Sequence, residues 1–323
     1  MSFLFDLHSG KNAKWPYFLR AIAREMWPAR RADIERIVKE AKARPDWPMI
    51  RERVDYLCKL DPLHINLGDG AKPWSEIHKG NGCHSTYYYD IRQWMRPFDP
   101  AARINFLPGD ITQVAKAPSL TKSRPVEGDN ANSVLLRLNQ VRHFIWVNDK
   151  TPYHLKRSQA IFRGKVPGKP KRELLFTQYF GNPMIDLGDT DRHGCEQWRA
   201  PRMTIPQQLQ YKWILAVEGN DVASNLKWIM SSNSVAVMPR PEYETWFMEG
   251  RLKPDVHYLE VAPDFSDLPD RLKWLDENPD VAGRIIRAAN EYTLQFRDMK
   301  LERLISTLVI AKYLSTPENP IIF

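Results

Sequence analysis

Seven prolines, Pro16, Pro28, Pro45, Pro48, Pro62, Pro73 and Pro97, each stop or start a segment in which apolar residues recur at helical spacing. The first hundred residues therefore read as helices. At Ile104 the texture changes: an apolar run over 104–107 ends abruptly in Pro108-Gly109-Asp110, the pattern of a strand entering a tight loop, which puts Asp110 at a strand tip. Further strands are expected at 143–147 and 159–162, the second breaking at Arg163-Gly164, and residues 165–172 have the Gly, Pro and charge content of an exposed loop. Beyond it, apolar runs alternate with amphipathic ones. The reading is strand 184–187, helix 206–211, strand 213–217, helix 222–231, strand 235–238, helix 242–249 and strand 257–261. Two helices close the chain, one over 268–277 and a long one from Val281 carrying Ile285, Ile286, Ala289 and Tyr292. Strands that alternate with helices imply crossover connections and a mostly parallel sheet, an α/β fold whose ligands bind beyond the carboxyl ends of the strands.

At 323 residues the chain exceeds what one core usually spans. Two lobes are expected, residues 1–157 completed by a C-terminal helix at 297–323, and residues 158–296, with a cleft between them. Apolar residues at 43% and charged residues at 27% give a chain that buries a core and is not disordered. Lys plus Arg outnumber Asp plus Glu by 47 to 39, a net charge of +8 that favours anionic partners.

Much of that charge sits early. Lys11, Lys14, Arg20, Arg24, Arg30 and Arg31 alternate with Trp15, Tyr17, Phe18, Met26 and Trp27, either a surface for anionic headgroups or an ordinary helix with a packed aromatic face. Cys58, Cys83 and Cys195 are scattered and odd in number, which points to no disulfide framework or metal knuckle and fits a reducing cytoplasm. The start lacks the pattern of a secretory leader, and no run approaches the ~20 apolar residues of a membrane span. The expectation is a cytoplasmic protein, soluble or held peripherally at the inner face of the membrane.

The sharpest local signal covers 214–227: an apolar strand, Glu218-Gly219-Asn220-Asp221, then small and polar residues opening a helix. It is either a phosphate-binding helix start or an ordinary turn with Asp221 as N-cap. Neither G-x-G-x-x-G nor G-x-x-x-x-G-K-[ST] occurs, so dinucleotide and P-loop chemistry drop away. No G-x-S-x-G elbow supports a hydrolase, and no H-E-x-x-H supports zinc. Asp189-Thr-Asp191 is either a D-x-D metal site bridging a diphosphate or a solvated turn within 188–194.

Read whole, Tyr211-Lys-Trp-Ile-Leu, Glu218-Gly-Asn, Ser224-Asn-Leu-Lys-Trp, Ser234-Val-Ala-Val, Glu242-Tyr, Trp246-Phe and Leu252-Lys-Pro-Asp-Val-His-Tyr258 resemble the signature of glycosyltransferase family 90. That family includes protein O-glucosyltransferases, fungal capsule xylosyltransferases and bacterial lipopolysaccharide-modifying enzymes. The likeness continues through Asp267-Leu and Leu272-Lys-Trp-Leu and reaches back to Phe162-Arg-Gly164 and Phe106-Leu-Pro-Gly-Asp-Ile-Thr112. The N-terminal part looks most like the bacterial branch.

The resemblance implies two Rossmann-like lobes in a GT-B-like arrangement and an inverting transfer from a nucleotide diphosphate sugar, of UDP type, without an essential metal. The acceptor it implies is a hydroxyl of lipopolysaccharide core or a related surface glycan. It puts the general base on Asp110, a position that a turn Asp capping its own backbone also fits. It puts diphosphate contacts on Arg163 with Gly164, on Arg172, and on the turn and helix start holding Gly219, Ser224 and Asn225. Asn225 is a departure, because eukaryotic relatives carry Arg there. Neutralisation then falls to Lys227, Arg163 or Arg172, though Arg172 also reads as a solvated loop charge and Lys227 as an exposed helix residue.

Glu242, opening the expected helix, either accepts the ribose hydroxyls or compensates the helix dipole. His257, Tyr258, Trp213, Trp228 and Trp246 read as packing residues. Two rivals stand beside this reading: a metal-dependent transferase using Asp189 and Asp191, and a basic nucleic-acid-binding protein, for which no RRM-type or helix-turn-helix motif is present.

Overall fold

The computed structural model of the chain describes residues 9–27, 31–80, 83–316 and 320–321. Pro28, Arg30 and the start of the chain lie outside the described residues. The chain divides into two compact units. One, here the N-terminal unit, holds Lys14–Gln140, Glu242–Glu249 and Phe296–Phe323; the other, the sheet unit, holds Met1–Ala13, Val141–Pro241 and Gly250–Gln295.

The proline-punctuated start is helical. It forms α1 (Lys14–Met26), α2 (Ile34–Lys42), α3 (Trp47–Leu57) and, after β1 (Lys72–Pro73), α4 (Ser85–Met95). Asp33 caps α2 by accepting the Arg36 amide at 2.9 Å, and Pro48 sits in the first turn of α3, where its missing N–H costs nothing. The strand expected at 104–107 is split. β2 (Arg103–Ile104) pairs antiparallel with β1, while β3 (Phe106–Leu107) joins a parallel ladder with β4 (Ser119–Thr121) and β6 (Ser133–Leu135). Asn105 makes the break, because its amide donates to the Tyr313 hydroxyl at 2.9 Å instead of to a strand. β5 (Ser123–Pro125) follows β4 directly.

The strand expected at 143–147 is absent. The chain makes a short α5 (Gln140–His143), and the extended residues after it bond side chains: Asn12 Nδ2 donates to the Phe144 carbonyl at 3.0 Å, and the Val147 amide donates to Ser231 Oγ at 3.1 Å. The alternation that follows is β7 (Arg157–Gly164), α6 (Pro170–Tyr179), β8 (Ile185–Asp189), α7 (Ile205–Gln208), β9 (Tyr211–Leu215), α8 (Leu226–Met230) and β10 (Val235–Met238).

Two expectations fail here. The segment 165–172 is not all loop, since Pro170 opens α6 at the position where a proline suits a helix. The helix expected from Val222 begins only at Leu226 and is five residues long, because the Gly219 amide donates to the Asp221 carbonyl and holds the chain in a turn.

The expected helix 242–249 is also corrected. Residues Tyr243–Thr245 form β11, antiparallel to β5, with the buried Glu244 carboxylate bonded to Arg124 Nε at 2.8 Å. β12 (Leu259–Glu260), α9 (Leu268–Glu277) and α10 (Pro279–Leu294) complete the sheet unit, and α11 (Met299–Tyr313) returns to the N-terminal unit.

The sheet runs β12-β10-β9-β7-β8, every pair parallel. Ala160 and Phe162, Ile185 and Leu187, Trp213 and Leu215, Val235 and Val237 point to one face and pack on Leu175 and Phe176 of α6, Leu272 of α9 and Ile285 of α10. The alternate residues Ile161, Ile214 and Ala236 are buried as well, which is why these strands read as continuous apolar runs. The α/β class follows from this parallel sheet with helices between its strands.

Candidate active site

In the strand order, β7 lies between β8, which follows it in sequence, and β9. The chain passes from β7 to β8 on one side and then crosses back to β9 on the other, so the strand order reverses here, and a crevice beyond the carboxyl ends of β7 and β9 is the place where an open parallel sheet takes its ligand. Arg172, in the first turn of α6, occupies it. Its Nη1 donates to the Lys165 carbonyl at 2.8 Å, just past β7, and its Nη2 and Nε donate to the Val217 carbonyl at 2.9 and 3.3 Å, just past β9.

Two glycines make room for it. A Cβ on Gly219 would sit 2.9 Å from Arg172 Nη2; one on Gly164 would sit 2.9 Å from the Phe162 ring, over which the Arg172 guanidinium lies at 5.3 Å. Gly164, Arg172 and Gly219, separate in sequence, are thus brought together. Lys171 and Lys169 flank Arg172 and bond Glu218 and Asn220, so the start of α6 clasps the turn after β9.

Three of the five guanidinium N–H groups of Arg172 go to carbonyls, none to a carboxylate. Burial pushes its pKa down to about 10, and the neighbouring Arg142 pushes the same way. Arg142, exposed on α5, has no ion-pair partner among the described residues. The Asp189 carboxylate acts on Arg172 from a distance but bonds neither group, and two guanidinium groups that repel one another stabilise an anion bound beside them. Sequence reading missed Arg142 because it stands just before the strand expected at 143–147 and no motif marks it.

The other expected donor residues are placed as follows. Arg163 turns to β8, bonding the Asp186 carboxylate at 2.8 Å and the Asp186 carbonyl at 3.1 Å, with Tyr211 donating to the same carboxylate at 2.9 Å. It is a cross-strand tie, packed so closely that a Cβ on Gly188 would lie 2.8 Å from it. Asn225 donates back to the Leu215 carbonyl at 3.0 Å, and Ser224 is half-buried in the same turn. Lys227 is fully buried, its Nζ over the Phe144 ring, so it is not the exposed helix residue of one sequence reading. Glu242 is exposed at the start of β11, in the N-terminal unit, with no helix for it to open.

Asp110 also belongs to the N-terminal unit, three residues beyond β3. Gly109 before it has φ 112°, a conformation that suits glycine and turns the loop sharply. The carboxylate is ion-paired with Lys122 and accepts from the Tyr87 hydroxyl at 3.5 Å. Lys122 is buried to 2% exposure while the Asp110 side chain keeps 25%, so the cation lies beneath a carboxylate that reaches solvent.

The D-x-D segment serves its own loop. Asp189 Oδ1 accepts the amides of Asp191 and Val166 at 2.8 and 3.2 Å, and Asp191 pairs with Lys165 at 3.2 Å. Backbone donation from His193 and the Lys165 ammonium hold the Asp191 carboxyl below its ordinary value. A cavity of about 440 Å³ opens beside these loops, between Val166 and Pro167 on one side and His193, Gly194 and Cys195 on the other.

A parallel sheet with a cationic switch point defines a class of α/β proteins suited to phosphorylated ligands. Comparison with known proteins narrows it. The chain matches glycosyl transferase family 90 over residues 133–307, more than half its length. It is 40% identical over 244 residues to O-glucosyltransferase LpsA of Dichelobacter nodosus, covering 73% of this chain and 76% of that one. It is 28% identical over 245 residues to human protein O-glucosyltransferase 3, and 25% identical over 158 residues to rat protein O-glucosyltransferase 1, spanning 43% and 39% of those longer chains. The chain belongs to glycosyltransferase family 90 and is a glycosyltransferase.

Proposed function

We propose that this enzyme moves a sugar from a UDP-sugar to a hydroxyl of lipopolysaccharide core or a related surface glycan, with inversion, using Asp110 as general base. Glucose is the proposed sugar, because the relatives are named as O-glucosyltransferases. The observation that carries the reading is Arg172 at the switch point, walled by Gly164 and Gly219 and joined by Arg142. In the proposed reaction the Asp110 carboxylate takes the proton of the acceptor hydroxyl as its oxygen bonds to the anomeric carbon. The bond from that carbon to the diphosphate breaks, and the diphosphate leaves with the electron pair. Charge gathering on the leaving group is met by Arg172 and Arg142, whose attraction grows as the bond breaks. In this reading no metal is needed, and the two compact units are the lobes of a GT-B-like enzyme acting at the cytoplasmic side of the membrane. Arg163 supports the site from β7, and Ser224 and Asn225 line the turn after β9.

The test is Asp110→Asn. UDP-glucose should stabilise the variant against heat as it does the parent, while transfer falls by about 10²- to 10⁴-fold. Transfer near the parental rate removes Asp110 as the base, and no stabilisation of either protein by UDP-glucose removes the donor. The metal-dependent alternative rests on Asp189 and Asp191; full activity after EDTA treatment removes it.

A further inference from the structure

The helix α1 is built the wrong way round for a solvated surface. Its inward side carries the polar contacts. Tyr17 donates to Asp90 at 2.8 Å, Arg24 bonds Gln93, and Glu25 accepts from Arg92 Nε at 2.7 Å, with Phe18 against Tyr89 and Ala21 buried. Its outward side carries Trp15, Leu19, Ile22 and Met26, exposed by 63%, 59%, 46% and 78%. These lie four, three and four residues apart, a single stripe along the helix. Trp27 extends it, 73% exposed. An ordinary surface helix hides its apolar stripe and shows its polar one.

We infer that this stripe is a membrane-docking surface for an anionic lipid bilayer. Lys14 and Arg20 are exposed on the same helix, and among the described residues neither has an acidic partner. An apolar face with Trp at both ends and unneutralised cations alongside matches the layered chemistry of a bilayer surface, where indole rings sit at headgroup level and lysine and arginine meet lipid phosphates. A protein partner fits less well. The 13-residue helix is ~20 Å long, so one face offers on the order of 200 Å². A stable protein interface takes about 800 Å² from each side. Among the described residues no helix is long and apolar enough to cross a membrane, so the contact is one of lying on the surface. The inference stands apart from the donor and base assignments, since it concerns where the enzyme sits and not what it transfers.

The experiment is co-sedimentation of the full chain with vesicles of phosphatidylglycerol and phosphatidylcholine, and with phosphatidylcholine alone. The parent should sediment with the anionic vesicles and remain largely in solution with the neutral ones. A double change, Leu19→Glu with Ile22→Glu, should weaken sedimentation by at least about tenfold, and Lys14→Gln with Arg20→Gln by severalfold. Both sets lie on the exposed side of α1, so circular dichroism and melting temperature should match the parent. Parent protein that stays in solution with anionic vesicles, or that sediments equally with neutral ones, overturns the inference. So does a Leu19→Glu, Ile22→Glu protein that still sediments, or a parent that self-associates without lipid and becomes monomeric on that change.

Discussion

The interiors of the two units are built differently. In the sheet unit the strands β7, β8, β9 and β10 run for 8, 5, 5 and 4 residues and bury one continuous apolar cluster. In the N-terminal unit no described strand exceeds three residues; the apolar interior comes from helices, with Ile50 and Val54 of α3, Ile91 and Trp94 of α4 and Leu308 and Val309 of α11 all buried, and buried charge is set among them. Glu302, fully buried on α11, receives Trp246 Nε1 at 2.5 Å, pairs with Arg137, and lies 2.7 Å from Arg53 Nη2. The Arg53 guanidinium in turn covers the Phe296 ring at 4.8 Å. Arg124 and Glu244 repeat the arrangement between β5 and β11. The sheet unit buries an ion pair too, Lys156 with Asp149 at 2.6 Å, at one isolated place and not as a network. The contrast teaches that both units remove apolar area from water, but the unit carrying Asp110 sets a network of buried charge among its apolar residues, whereas the unit carrying Arg172 builds its interior on one continuous apolar sheet face.

Removing one such bond should produce the largest effect. Glu302→Ala leaves Arg53 and Arg137 buried without their shared carboxylate and should cost about 3–5 kcal/mol, read from denaturant unfolding followed by tryptophan fluorescence. A loss below about 1 kcal/mol would break the comparison, because it would make the buried charge incidental.

Next in size is a dependence on pH. Asp90 is buried and bonded by Tyr17 and by the Gln140 amide and side chain, with the Arg24 charge nearby; burial pushes its carboxyl up to about 6. Since the folded carboxyl holds its proton more tightly than the unfolded one, its favourable contribution is full below about pH 4 and is lost as pH rises through about 6. The loss is on the order of 3 kcal/mol. Unfolding free energies measured from pH 4 to 7 should show this slope in the parent and lack it in Asp90→Asn; an unchanged slope assigns it to other groups.

The smallest effect belongs to the sheet unit and sharpens the contrast. Gly219→Ala needs no special backbone angle, but its Cβ would displace the Arg172 guanidinium. Stability should change by under about 1 kcal/mol while the KM for UDP-sugar rises about three- to tenfold. A large stability loss with unchanged KM would show that this turn serves the core and not the donor.

The two units were also unequally legible. Residues 235–238 and 268–277 form the strand and helix expected of them. Each is buried by neighbours within a regular element, so periodicity records the burial. The segments 143–147 and 242–249 misled because their partners lie far away in sequence, while 165–172 misled because its Gly, Pro and charge content hides that Pro170 opens α6. Glu244 reads as a helix-forming acid until Arg124, 120 residues earlier, is seen to hold it in a strand.

The same division runs through the site. Gly109-Asp110 at a strand tip and Gly219 after β9 could be singled out, since turns announce themselves locally. Arg142 could not, and only the tertiary structure shows that Arg163 pairs with Asp186 and that Lys227 is buried beside Phe144.

By itself the sequence determined the α/β class, the succession of strands in the parallel sheet, and membership of its family, because those properties are written in local periodicity and in motif. The tertiary structure alone decided that Gly164, Arg172 and Gly219 converge on one crevice, that α1 turns Trp15 and its apolar stripe outward, and that Glu302 and Glu244 are buried against arginines in the N-terminal unit. Those facts depend on which surfaces meet across long stretches of chain, and burial of an ion pair or exposure of a helix face leaves no repeat in the order of residues.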